Sequence, residues 1–137
     1  MHARSLLAGT VLAALAAASG DASAQSCRFI SEPGGMGFGG LDPSLPSTRT
    51  ATTTARVNCG TSSIMPMWRF AGANGGASLR MKHSSRPEFI PYTAAASFLG
   101  NVGINQSWRV TATVLGADYE NASTGTYADQ LTITILP

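Results

Sequence analysis

From about residue 25 onward the chain alternates apolar and polar positions in twos rather than in helical turns. Over residues 51–59 the odd positions carry Ala51, Thr53, Ala55, Val57 and Cys59, and the even ones Thr52, Thr54, Arg56 and Asn58. That is the pattern of a half-buried strand with one face on a core and the other in water. Its inward set includes Cys59, as a disulfide in the core requires. Over residues 108–115, Trp108, Val110, Ala112 and Val114 alternate with Arg109, Thr111 and Thr113. Near the C-terminus, Leu131, Ile133 and Ile135 alternate with Thr132 and Thr134. β-Branched residues are dense in these runs, which suits a pleated surface. Shorter strands are predicted at 28–30, 65–70, 78–81 and 89–92. Turn clusters separate them: Glu32-Pro33-Gly34-Gly35, Asp42-Pro43-Ser44, Ala73-Asn74-Gly75-Gly76 and Ala122-Ser123-Thr124-Gly125. No long helical stripe and no internal repeat interrupts the series. Short strands at near-regular spacing predict an all-β fold, an antiparallel sandwich or barrel.

The first 24 residues follow a different rule. Arg4 supplies a positive charge, residues 6–18 are an unbroken run of Leu, Ala, Val, Gly and Thr, and Ala22-Ser23-Ala24 places small residues after it. This is the order of a cleaved secretory signal peptide. A membrane anchor is the alternative, but the run falls short of the roughly 20 apolar residues a bilayer needs. Residues 1–24 are therefore expected to leave, with Gln25 the new N-terminus. Residues 25–137 then form one domain without a membrane span, exported to the periplasm and onward to the cell surface or medium. An oxidising destination changes how Cys27 and Cys59 read, because they are the only two cysteines. A disulfide is expected, worth roughly 3–4 kcal/mol for a loop of that size. A redox or catalytic thiol is the alternative, and no C-x-x-C supports it.

Composition removes further classes. Nine basic and seven acidic residues leave a formal charge of +2, with no basic block. The electrostatic footprint of a nucleic-acid binder is missing. Gly35-Met36-Gly37-Phe38-Gly39-Gly40 satisfies G-x-G-x-x-G, but Pro43 and Pro46 follow where a dinucleotide-binding fold needs a helix. Met36 and Phe38 are expected instead on a tight strand, with their side chains in the core. His83, in the polar run Lys82-His83-Ser84-Ser85-Arg86, is expected in a solvated loop, and no G-x-S-x-G elbow accompanies it. Glu88, Asp118, Glu120 and Asp129 carry no mark of a glycosidase pair. Met36, Met65, Met67 and Met81 read as core filler rather than copper ligands, and Arg80 and Arg86 as surface partners of acids. No catalytic residue, metal or cofactor is expected.

The order of several motifs resembles the spore coat protein U family of secreted bacterial domains. Cys27 is followed by Met36-Gly37-Phe38-Gly39-Gly40-Leu41-Asp42-Pro43, and Cys59 closes a strand rich in Thr and Val. Leu79-Arg80-Met81 and Ile90-Pro91-Tyr92 are similar to the middle of the family's pattern. The tail, Gly125-Thr126-Tyr127-Ala128-Asp129-Gln130-Leu131-Thr132-Ile133-Thr134-Ile135, resembles G-x-Y-x-D-x-[LV]-x-[VI]-x-[VIL]. The family includes pilins of archaic chaperone–usher fimbriae. The resemblance thus implies a single, incomplete immunoglobulin-like antiparallel β-sandwich whose last strand is missing. Leu131, Ile133 and Ile135 would line the resulting groove. It also implies the partners: a periplasmic chaperone, an usher and neighbouring pilus subunits, which fill the groove by strand addition.

One departure shapes the expectation. A donor strand ahead of the first cysteine needs about a dozen residues with alternating apolar positions, and only Gln25 and Ser26 stand there after the expected cleavage. The chain is accordingly expected to accept a donor strand without lending one. The competing expectation is a surface or coat-associated sandwich that closes on itself and binds carbohydrate. Exposed Trp68, Trp108 or Tyr119 would then stack on sugars, against the plainer view that both tryptophans anchor the core.

Overall fold

A computed structural model of the chain describes residues 26–137 in full, and residues 2–7 and 14–16 by their strand pairing. The expected cleavage motif Ala22-Ser23-Ala24, and much of the apolar run before it, lie outside the described residues.

The elements are β1 (His2–Leu7), β2 (Ala14–Ala16), β3 (Arg28–Ser31), β4 (Arg49–Asn58), β5 (Met67–Gly72), β6 (Arg80–His83), β7 (Phe89–Pro91), β8 (Thr93–Val102), β9 (Asn105–Val114) and β10 (Tyr127–Leu136). A short 3₁₀ turn, Gly116–Asp118, lies between the last two strands. The strands form two antiparallel sheets, so the fold is all-β. One sheet runs β3-β4-β9-β8. In the other, β10 is central, with β1 and then β2 on one edge and β6 and then β7 on the other; β5 also pairs with β10. The sheets face each other across an aromatic contact. Trp68 of β5 lies with its ring centroid 5.3 Å from Trp108 of β9 and 5.8 Å from Phe29 of β3.

The two-residue period decides which side chains enter the core. On β4, Ala51, Ala55 and Val57 point inward, and Cys59 follows just past the strand. On β9 the inward set is Gln106, Trp108, Val110, Ala112 and Val114. On β10 it is Tyr127, Asp129, Leu131, Ile133 and Ile135. Cys27 and Cys59 form the expected disulfide, with Cα atoms 4.0 Å apart. They extend the β3–β4 register, in which Arg28 pairs with Asn58, by one residue.

Four expectations need correction. Met36 and Met81 fill the core as expected, but Met65 and Met67 are exposed. Met36 and Phe38 are buried in the core, but their segment forms no strand, because Gly-flanked residues supply little to hold a ladder. His83 is not in a solvated loop: it is 5 % exposed on β6, where the two-residue period carries it inward beside Met81. Arg80 lies over the Phe89 ring, 4.2 Å from its centroid, and donates from Nε to the Asn74 carbonyl. A strand was also missed. β8 reads Thr-Ala-Ala-Ala-Ser-Phe-Leu-Gly-Asn-Val, with no apolar–polar contrast and with alanines that favour helix, so only pairing with β9 reveals it.

The outer edge of the last strand as candidate functional site

Residues in a strand aim their N–H and C=O groups alternately at its two edges. On β10 the even residues face β5 and the loop after it: the Gln130 carbonyl accepts from Ala73 N–H at 2.9 Å, and the Ala128 carbonyl from Asn74 Nδ2 at 3.0 Å. Leu131 and Ile133 therefore aim their backbone groups at the opposite edge. Only β1 pairs with that edge among the described residues, in the register Leu7↔Asp129, Leu6↔Gln130, Ser5↔Leu131, Arg4↔Thr132, Ala3↔Ile133 and His2↔Thr134. Below Leu131, Ile133 and Ile135, all fully buried, lies the sandwich core. A row of main-chain groups above alternate apolar side chains is what strand addition uses.

A polar clamp holds β10 at its start. Tyr92 donates its hydroxyl to Asp129 Oδ2 at 2.5 Å, and Asn74 donates to Oδ1 from its side chain at 3.0 Å and from its backbone N–H at 3.3 Å. Burial pushes the Asp129 carboxyl above its ordinary value, while the hydrogen bonds from Tyr92 and Asn74 pull the other way. Burial, then the neighbouring carboxylate, pushes the Tyr92 hydroxyl up. The clamp joins Tyr92 to Asp129, 37 residues apart in sequence. Sequence spacing alone left Asp129 among unpaired acids; its inward parity with Leu131 was the available signal.

A second cluster fixes the turn leading into β10. Ser123 donates to Glu88 from Oγ at 2.7 Å and from N–H at 3.1 Å, and Tyr127 donates its hydroxyl to Glu88 at 3.1 Å and to the Ser123 carbonyl at 2.8 Å. The Ser123 hydroxyl, with its N–H next, holds the Glu88 carboxyl below its ordinary value. His83 Nδ1 accepts from the N–H groups of Ser85 at 3.0 Å and Arg86 at 3.1 Å, which leaves Nε2 to donate to the Thr124 carbonyl at 2.9 Å. A nucleophile's base would be oriented by a carboxylate at that position; here the partner is a main-chain carbonyl. Gly125 sits against the ring with φ +144°, and a Cβ there would collide with Nε2.

Among the described residues no three His, Cys, Asp or Glu side chains converge to hold a metal. A hollow of about 280 Å³ opens beside Leu41, Met81, Ile90, Tyr119 and Tyr127. The Tyr119 hydroxyl is committed to Ser47, donating to its carbonyl at 2.6 Å and accepting from its N–H at 2.8 Å. Of the aromatics considered for sugar stacking, Trp108 and Tyr119 are buried, at 7 % and 1 % exposure, and Trp68 is half-buried against Phe70 and Trp108. No family model, curated protein or solved structure matches the chain.

Proposed function

We propose that residues 25–137 are a non-enzymatic structural subunit of a chaperone–usher-type surface fibre. Its β10 edge takes a donor strand, first from a periplasmic chaperone and then from a neighbouring subunit. The observation that carries this reading is the pairing of β10: residues 2–7, which belong to the expected signal peptide, are the one described segment on its outer edge. Once that peptide is cleaved, the Leu131 and Ile133 backbone groups lose that ladder partner, at an edge backed by the apolar row Leu131, Ile133 and Ile135. Bare strand edges and contiguous apolar surface drive association. A partner strand supplies main-chain hydrogen bonds and apolar side chains at once. The incomplete immunoglobulin-like sandwich and the named partners rest on the motif resemblance. The disulfide supports an oxidising compartment, and thus export.

The test is periplasmic expression with and without a co-expressed chaperone of the chaperone–usher class. The expected result is a protein starting at Gln25, without free thiols, that stays soluble in a stoichiometric chaperone complex and aggregates alone. A soluble monomer that ignores both chaperone and donor peptides would overturn the proposal.

A further inference from the structure

The segment on the β10 edge is part of this same chain, and its pairing is specific. β1 runs antiparallel to β10 over the six residue pairs from His2↔Thr134 to Leu7↔Asp129. β2 pairs in turn with the far edge of β1, through His2↔Ala16, Ala3↔Leu15 and Arg4↔Ala14, so the added strand is itself covered over its first half. We infer that residues 2–7 are a built-in occupant of the acceptor edge: with its leader attached, the chain is self-complemented, and a donor strand gains the edge only when those residues leave it. This rests on the strand-accepting reading above.

The register also says why the occupant is a temporary one. The residues at the levels of Leu131 and Ile133 are Ser5 and Ala3. Directly opposed residues in an antiparallel pair share a face, so these are the positions a donor would use to fill the groove. Ser and Ala bring little apolar surface there. A strand with Ile or Val at both levels carries more apolar surface to bury. Release of the leader needs hydrolysis of one peptide bond by a leader peptidase, with water as co-reactant.

The geometry supplies the test. Leu131 and Ile133 exchange main-chain bonds with their β1 partners, which makes Arg4–Thr132 a non-hydrogen-bonded pair. Such pairs have Cα atoms about 4.5 Å apart, within the range of a disulfide. The full chain is produced with its leader retained in an oxidising cytoplasm, carrying Arg4→Cys with Thr132→Cys. The expected result is a 4–132 cross-link in a non-reducing digest, at least tenfold more abundant than a 6–132 link in the Leu6→Cys, Thr132→Cys control. His2→Cys with Thr134→Cys repeats the test at a second non-bonded pair should the first variant not fold. Capture of a synthetic peptide with alternating Ile is then compared between the cross-linked and wild-type full chains, and is expected to fall at least tenfold in the cross-linked one. Absence of both cross-links, with the peptide captured by the wild type, overturns self-complementation and leaves the strand-accepting edge standing. Cross-links with no capture by the wild type, nor by an Arg4→Pro, Leu6→Pro chain whose leader strand cannot pair, overturn the strand-accepting reading and this inference with it.

Discussion

Asp129 occupies a position that the alternation of β10 reserves for an apolar side chain, and the Tyr92 hydroxyl and Asn74 explain how the carboxyl is tolerated. Removing one donor leaves a buried acceptor short of a partner, at a cost of about 1–3 kcal/mol. Tyr92→Phe is expected to lower the unfolding free energy by that amount in urea titrations at neutral pH. The carboxyl also makes a pH prediction. Burial raises its pKa in the folded state above the ordinary 3.8, so folding favours the protonated form. Its contribution is greatest below 3.8 and declines as pH rises through the raised value. Unfolding titrations of wild type and Asp129→Asn should therefore show the wild type losing stability relative to the variant from about pH 4 upward. Glu88, lowered by Ser123, acts in the opposite sense in both proteins and cancels in the comparison. The inward parity of Asp129 was legible in the sequence. Its partner was not, since Tyr92 is brought to it only by the packing of a separate segment. His83 was misplaced for a related reason: its neighbours are polar, and period two outweighs local polarity once β6 pairs with β10.

Strands with contrast between their two faces were legible, and those without it were not. β4, β9 and β10 each carry mostly apolar residues on one parity and mostly polar ones on the other, so their faces follow from the sequence. β8 offers alanine on both faces and departs from regular pairing with a bulge between Phe98 and Gly100. Its turn is more orthodox: Val102 pairs with Asn105, and Gly103, at φ +63°, takes the first position of the two-residue connection. The disulfide belongs to this scale because it ties the start of β3 to the end of β4, closing a loop with a sequence separation of 32. Loop closure of that length is worth roughly 3–4 kcal/mol. Replacing both cysteines by alanine is expected to lower the unfolding free energy by that amount, measured by denaturant titration against the oxidised parent. An unchanged midpoint would mean that the unfolded chain gains nothing from the missing staple.

At the scale of the whole molecule, the proposed function rests on the outer edge of β10. Among the described residues, the outer edge of β10 pairs only with the segment expected to be cleaved. That juxtaposition could not be read from alternation, which gives the faces of a strand but not the neighbours along its edges. The central claim is that this edge accepts a strand, and backbone amide exchange reports it directly. The measurement is hydrogen exchange on exported protein that begins at Gln25, released from its chaperone complex and diluted below the concentration at which it self-associates, with and without a peptide of alternating apolar residues. The account predicts fast exchange at Leu131 and Ile133 in the free protein, slowed at least tenfold by the peptide, with Thr132, which faces β5, slow in both. Slow exchange at Leu131 and Ile133 without the peptide, unchanged on its addition, would contradict it.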